Sequence, residues 1–542
     1  MTTEPAGRRR FLRYCAAGGA ASLAATRVPE AAAAQPHGGV HDVRRYGARG
    51  DGSTIDSAAI NRAIDAAAAG GGGVVLLPAG TYACHTIRLK SNVALQLGPG
   101  AVLLAAAPTA AGGYDPPGAG GTHQDFGHSH WRASLIWGEE VENVSILGPG
   151  RIDGRGLVPR MDATSPPGTG DKAIALKLCR NVTIGDLTIV AGGHIAILAT
   201  GVDLLTIRHV TIDTIRDGVN IDCCRDVHVS AATINTFNDD AIALKSSYAL
   251  GYARATENVT IAGCTVSGYD VGTAVAGTFR RDNPSSWDGD GPFGRIKLGT
   301  ESNGGFRGIT ISDVLFDRCR GIALETVDGG ALEDVTIANV VLRDTTSAPI
   351  FLRLGARMSG PPGAPPGSLR RIAISNVLVH NADPRYASII AGLPGQRVED
   401  VCIRDVRITY RGGLSMTEAA AQPPELVNRF FALPGAREPY DVPERADAPP
   451  EPAMFGVLPA YGFYIRHAEH VELDNVETGF LSQDRRPAFV LDDVEDVEFR
   501  HCRAQKAPEA PTFVLRNVTA FATLHTRGVA DTCVDHAELK EL

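Results

Sequence analysis

Asp217 stands 22 residues before Asp239 and 23 before Asp240. If one structural repeat spans that distance, three carboxylates converge on one face of the fold. Packing like charges so closely is costly and raises at least one pKa, which is what a general acid requires. An acid and a base flanking a sugar–oxygen bond are the machinery of glycoside hydrolysis, and their separation selects inversion or retention. Two other readings fit the same residues. A repeat turn can carry a plain ladder of Asp and Asn, and clustered carboxylate oxygens also suit Ca²⁺.

Such a repeat is written along most of the chain. A polar residue followed by an apolar, a variable and an apolar one recurs as Asn181-Val182-Thr183-Ile184, Asp226-Val227-His228-Val229, Asn258-Val259-Thr260-Ile261, Asp334-Val335-Thr336-Ile337 and Asp400-Val401-Cys402-Ile403. Starts at 181, 203 and 226 lie 22 and 23 residues apart, and 308 to 334 is 26. This period, with strand-like alternation and no helical phrase between repeats, points to an all-β solenoid. A leucine-rich repeat would need its Leu-x-x-Leu-x-Leu frame, which is absent. In a parallel solenoid, residues one repeat apart stack about 4.8 Å apart.

The ends and the bulk composition frame this array. Arg8-Arg9-Arg10-Phe11-Leu12-Arg13, an Ala/Gly-rich run and Ala32-Ala33-Ala34 form a twin-arginine targeting pattern over 1–34, which predicts export to the periplasm or beyond. Ile60, Ala63, Ile64 and Ala67 recur at helical spacing and predict a short capping helix, in a module with the first coils over 35–105. Coils are expected over 106–505, interrupted by loops at 106–134, 278–294 and 412–460, with a last rung or tail over 506–542. Net charge is −9 with no basic block outside the N-terminus, so no nucleic-acid partner is expected. No other stretch is apolar enough to predict a membrane span. Ten cysteines, one of them in the targeting segment, mostly occupy apolar slots and read as stacked core residues, although Cys223-Cys224 has no obvious place.

The Asp217-Gly218 and Asn238-Asp239-Asp240-Ala241-Ile242-Ala243-Leu244-Lys245-Ser246 segments resemble glycoside hydrolase family 28, the polygalacturonases and rhamnogalacturonases. The opening module resembles the N-terminal part of pectin-lyase-like β-helices, and the likeness covers roughly residues 41–400. It implies a right-handed, single-stranded parallel β-helix, no cofactor and no catalytic metal. It also implies Asp239 as general acid, with Asp217 and Asp240 activating the water of an inverting hydrolysis. The departures bear on specificity. The family's Gly-His-Gly turn is matched to Gly268-Tyr269-Asp270-Val271-Gly272, so Asp270 or a neighbour takes the histidine place. The family's substrate-gripping Arg-Ile-Lys is matched to Gly321–Thr326, which puts Glu325 where a lysine would stand. Glu325 there would repel a galacturonate and favour a neutral or cationic ring. Arg295-Ile296-Lys297 occurs one rung too early, either as a surrogate clamp or as an ordinary strand.

Further candidates for substrate contact are His194, about one coil before Asp217, and Arg353, about one coil after Glu325. Arg353 and Arg357 can equally pair with Glu325 or Asp328. His123, His128 and His130 have a metal-site composition, but they fit a mobile loop at the cleft edge better. Trp287 is a candidate sugar platform. The expected activity is therefore hydrolysis of glycosidic bonds in a pectin-like polysaccharide, another polysaccharide, or an oligosaccharide. A polysaccharide lyase and a silent glycan-binding β-helix are the rivals.

Overall fold

Alternating apolar residues bury one side of each short strand, and polar residues at the corners let the chain turn and begin again. The result, in a computed structural model, is a right-handed parallel β-helix. It describes residues 39–542 apart from 111, 119–122, 124, 125, 163, 432 and 434. The expected targeting segment lies outside the described residues. A regular coil has three strands. Ile195–Thr200, Asp203–Arg208 and Thr211–Thr214 are followed one coil later by Asp217–Asp222, Arg225–Ser230 and Thr233–Thr236. They pair in parallel, with Ile197 opposite Val219, Leu205 opposite Val227 and Ile212 opposite Ile234.

The polar residue that opens each repeat has a conformational reason to be there. Asn181, Asp226, Asn258, Asp334 and Asp400 have φ between 53° and 59°, the left-handed corner that Asn and Asp tolerate. Several also form a ladder: Asn181 Nδ2 donates to Asn143 Oδ1 at 2.8 Å, and Asn143 Nδ2 donates to Asn92 Oδ1 at 2.9 Å. In the coil that starts at Asp203 the corner falls one residue later, on the exposed Leu204. The apolar positions of the phrases, such as Val182, Ile184, Val227 and Val229, stack inside the tube and are buried.

Both ends are covered. Helix Ser57–Ala69 buries Ile60, Ala63, Ile64 and Ala67 against the first coils. At the other end, strand Thr532–Glu541 pairs antiparallel with Phe513–Leu524, the last rung strand. An open last rung would otherwise expose unpaired backbone groups. All nine described cysteines are free thiols, and seven of them are buried. Cys223 occupies a left-handed corner (φ 55°) with its thiol 3.2 Å from the Ser247 carbonyl, and Cys224 points inward beside Ala199. Among the described residues, no helix is long and apolar enough to cross a membrane.

Candidate active site

The strands Ile195–Thr200, Asp217–Asp222, Ile242–Ser246, Ile296–Ser302, Ile322–Thr326 and Ile350–Leu354 stack in that order. One coil of separation brings the start of the Asp217 strand beside the Asp239–Asp240 turn. Gly218 N–H donates to the Asp240 carbonyl at 3.0 Å, and Val219 N–H to Ala241 at 2.9 Å. The approach is close enough to require glycine, since a Cβ on Gly218 would lie 2.5 Å from the Ala241 carbonyl oxygen. Oxygens of Asp217, Asp239 and Asp240 come within 4.8 Å of one another.

The three carboxylates stand in unlike surroundings. Asp217 is buried, and burial followed by the charge of Asp239 pushes its carboxyl well above the ordinary carboxylate range, against Lys245 and Arg216. Asp239 is the most exposed of the three, its side chain 19% accessible, and it accepts a hydrogen bond from Arg216 Nη2 at 2.6 Å. Asp240 is buried between two cations, with Arg295 Nε at 2.8 Å and Lys297 Nζ at 3.8 Å. Three cations therefore already compensate Asp239 and Asp240. A divalent ion placed on the trio would face Arg216, Arg295 and Lys297 at close range, which disfavours the Ca²⁺ reading.

Three loops reach this face. On the 106–134 loop, His128 Nδ1 lies 2.9 Å from Asp222 Oδ2 with both side chains fully buried, and His123 meets Tyr248 edge-on. Asp222 also accepts from Ser247 Oγ at 2.7 Å. The expectation of a mobile loop is thus corrected at His128, which is a buried anchor. The 278–294 loop is held by Asp290, which accepts from Tyr386 and Asn428, and by the Asp288–Arg320 pair at 2.6 Å. It sets Trp287 directly over the acid turn, where the indole N–H donates to the Asn238 carbonyl at 3.0 Å. Trp287 is 55% exposed beside Phe293 and Phe430. From the 412–460 loop comes Glu451, which reaches Arg295 and Arg320.

The structure changes several expected placements. The strand after Ile242–Ser246 is Ile296–Ser302, with Ile242 opposite Ile296, so the turn one rung beyond the acids is 293–295. Arg295, not Asp270, stands beside the acids. Asp270 instead accepts from Asp282 N–H, Asn283 N–H and Asn283 Nδ2, bracing its own loop. Arg295 and Lys297 are buried, not exposed, and clamp carboxylates of the protein itself. Glu325 is fully buried 3.3 Å from Lys297, and burial pushes its carboxyl up to about 8 despite that lysine. It therefore cannot repel a substrate by direct contact.

Arg353 leaves the cleft altogether. Its guanidinium donates to the carbonyls of Gly392, Glu444 and Arg445, which makes it an anchor for the 412–460 loop. Arg357 pairs with Asp328 and Glu301. His194 belongs to a separate buried group one coil before Asp217, where its Nδ1 lies 3.8 Å from Asp171, itself paired with Lys172 at 2.7 Å. Arg216, Arg320 and Glu451 escaped the sequence reading. Arg216 was visible beside Asp217. Glu451, in a Pro-rich stretch far along the chain, carried no spacing signal.

Residues 40–126 match a family model described as rhamnogalacturonase A/epimerase, pectate lyase-like. Residues 119–274 match glycosyl hydrolases family 28. The carboxylate trio lies inside that second match. An exo-poly-α-D-galacturonosidase of Dickeya chrysanthemi is 33% identical over 132 residues, which span 23% of this chain and 21% of that protein. Two solved structures share the fold. The family 28 exopolygalacturonase of Yersinia enterocolitica has a TM-score of 0.59 at 17% identity, covering 84% of this chain and 78% of its own. The hyperthermoactive exopolygalacturonase of Thermotoga maritima has a TM-score of 0.53 at 19% identity, covering 68% and 87%.

Proposed function

We propose that the protein is an exported glycoside hydrolase that cleaves glycosidic bonds in a pectin-like or other polysaccharide, or its oligosaccharides, by acid/base catalysis. The observation that carries this reading is the trio of unlike carboxylates. Asp239, the one open to the cleft, donates a proton to the departing glycosidic oxygen as the carbon–oxygen bond breaks. A water held by Asp217 and Asp240 attacks the anomeric carbon and gives its proton to Asp240, which lies beside Arg295 and Lys297. Burial and the charge of Asp239 push the Asp217 carboxyl well above the ordinary range, as expected where three carboxylates crowd together. Cleavage on this scheme inverts the anomeric centre.

One observation favours a second stereochemical outcome. The closest oxygens lie within 4.8 Å, short of the spacing usual for inverting pairs and nearer that of retaining ones. Proton NMR of the first-formed anomer separates the two. The hydrolytic claim itself is tested on pectic, rhamnogalacturonan and neutral glycans by following reducing ends together with ultraviolet absorbance. New reducing ends without absorbance support hydrolysis, and absorbance that EDTA abolishes means a lyase. Export rests on Arg8-Arg9-Arg10 and the segment after it. Replacing these arginines by lysine should leave the protein in the cytoplasm, and unchanged export would refute that route.

A further inference from the structure

Glu451 is the unexpected member of the cleft. Both terminal nitrogens of Arg295 reach its carboxylate, Arg320 Nη1 donates to it at 3.1 Å and Lys297 Nζ lies 3.9 Å away. A planar guanidinium fork with two flanking cations is the geometry by which a protein grips a sugar carboxylate. Here the carboxylate belongs to the chain itself. Its approach is rigid: Pro452, Ala453, Met454 and Phe455, which follow it, are all buried, and Arg353 ties down Glu444 and Arg445 a few residues earlier.

We propose that Glu451 is a built-in occupant of the cleft's anion site, and that it makes the protein select an uncharged sugar unit over a uronate beside Asp240. This rests on the hydrolase reading and names the chemical class of its substrate unit. The charge pairing in the cluster supports it. Arg295 meets Asp240 and Glu451, Lys297 meets Asp240, and Arg320 meets Glu451 and Asp288, three cations against three carboxylates, while Glu325 beside Lys297 keeps its proton. Burial opposes its charge, yet Arg295, Arg320 and Lys297 hold the Glu451 carboxyl at about 2, so it is an anion at any working pH. A uronate entering here must evict a tethered carboxylate or lie unpaired beside it, and either one discriminates against acid sugars. A neutral ring meets no such obstacle, and the exposed face of Trp287 offers it a platform.

The test is calorimetric titration of the full-length protein with D-galacturonic acid and D-galactose, which differ only in the carboxylate. Wild type should bind the acid no more tightly than the neutral sugar. Glu451→Ala should bind galacturonate at least about tenfold more tightly than wild type, the scale of a charge-assisted pair, with galactose unchanged. Glu451→Gln, which keeps the volume, should show a smaller gain of the same kind and serves if the alanine variant does not fold. Tighter binding of galacturonate by wild type overturns the inference. So does a variant with no gain, or with an equal gain for both sugars. Because the readout is affinity, the two failures are distinguishable: silence on every glycan removes the hydrolase reading and with it Glu451 as a selector of substrate. An absent affinity shift in an active enzyme would remove this one alone.

Discussion

Arg295 holds the buried Asp240 and the part-buried Glu451 at once, so its removal is the sharpest perturbation of the cleft. Arg295→Met leaves Asp240 and Glu451 without their closest cation. Breaking a buried pair by deleting one partner costs about 3–5 kcal/mol. Linkage sets an upper bound of the same scale, since lowering Glu451 from 4.5 to about 2 corresponds to about 3 kcal/mol, shared among Arg295, Arg320 and Lys297. For about 500 residues unfolding together, the entropy of unfolding is about 1 kcal/mol per degree, so the melting temperature should fall by about 3–5 °C at pH 7. The sign with pH follows from a depressed carboxyl. Its contribution is complete above 4.5 and is lost as pH falls through about 2, so at pH 3 the difference should shrink by about half or more. Circular-dichroism melts of wild type and variant at both pH values measure this. Arg295→Met combined with Glu451→Leu should recover part of the loss by replacing a buried pair with apolar contact. A shift under about 1 °C at pH 7, or an equal shift at pH 3, would refute the reasoning.

Glu325 works in the opposite sense, because burial raises it from 4.5 to about 8. Its stabilising proton is fully held below 4.5 and lost as pH rises through 8, so Glu325→Gln should melt like wild type at pH 4 and several degrees higher at pH 9. For Arg353→Met, melting should drop by several degrees while kcat/KM per folded molecule stays within about twofold; a raised KM without a stability change would return Arg353 to the cleft. In Trp287→Ala, KM should rise about two- to tenfold with kcat little changed, on the scale of one aromatic contact. An unchanged KM would remove the platform.

The aspartate spacing and the repeat phrase were legible in the sequence because a solenoid converts linear period into spatial contact. Asp217, Asp239 and Asp240 meet for the same reason that Asn143 and Asn181 form a ladder. A long loop that interrupts the period breaks this correspondence. The 268–294 excursion moved the next rung's turn from Asp270 to Arg295, a displacement that only strand register reveals. Arg353 was misplaced because alternation sets which face of the strand a residue takes, not whether a loop packs over it. Glu451 arrives from a segment with no repeat at all, so only tertiary packing could bring it beside Arg295. The charge on Glu325 was misjudged because burial, not its formal sign, governs what it presents.

The most direct test of the central claim compares wild type with Asp239→Asn for reducing-end release on polygalacturonate, rhamnogalacturonan and neutral oligosaccharides. Wild type should release reducing ends from at least one substrate, and the variant should lose about 10²–10⁴-fold of that rate with its melting temperature preserved. Turnover of Asp239→Asn within about tenfold of wild type, or a wild type silent on every glycan, would contradict the claim.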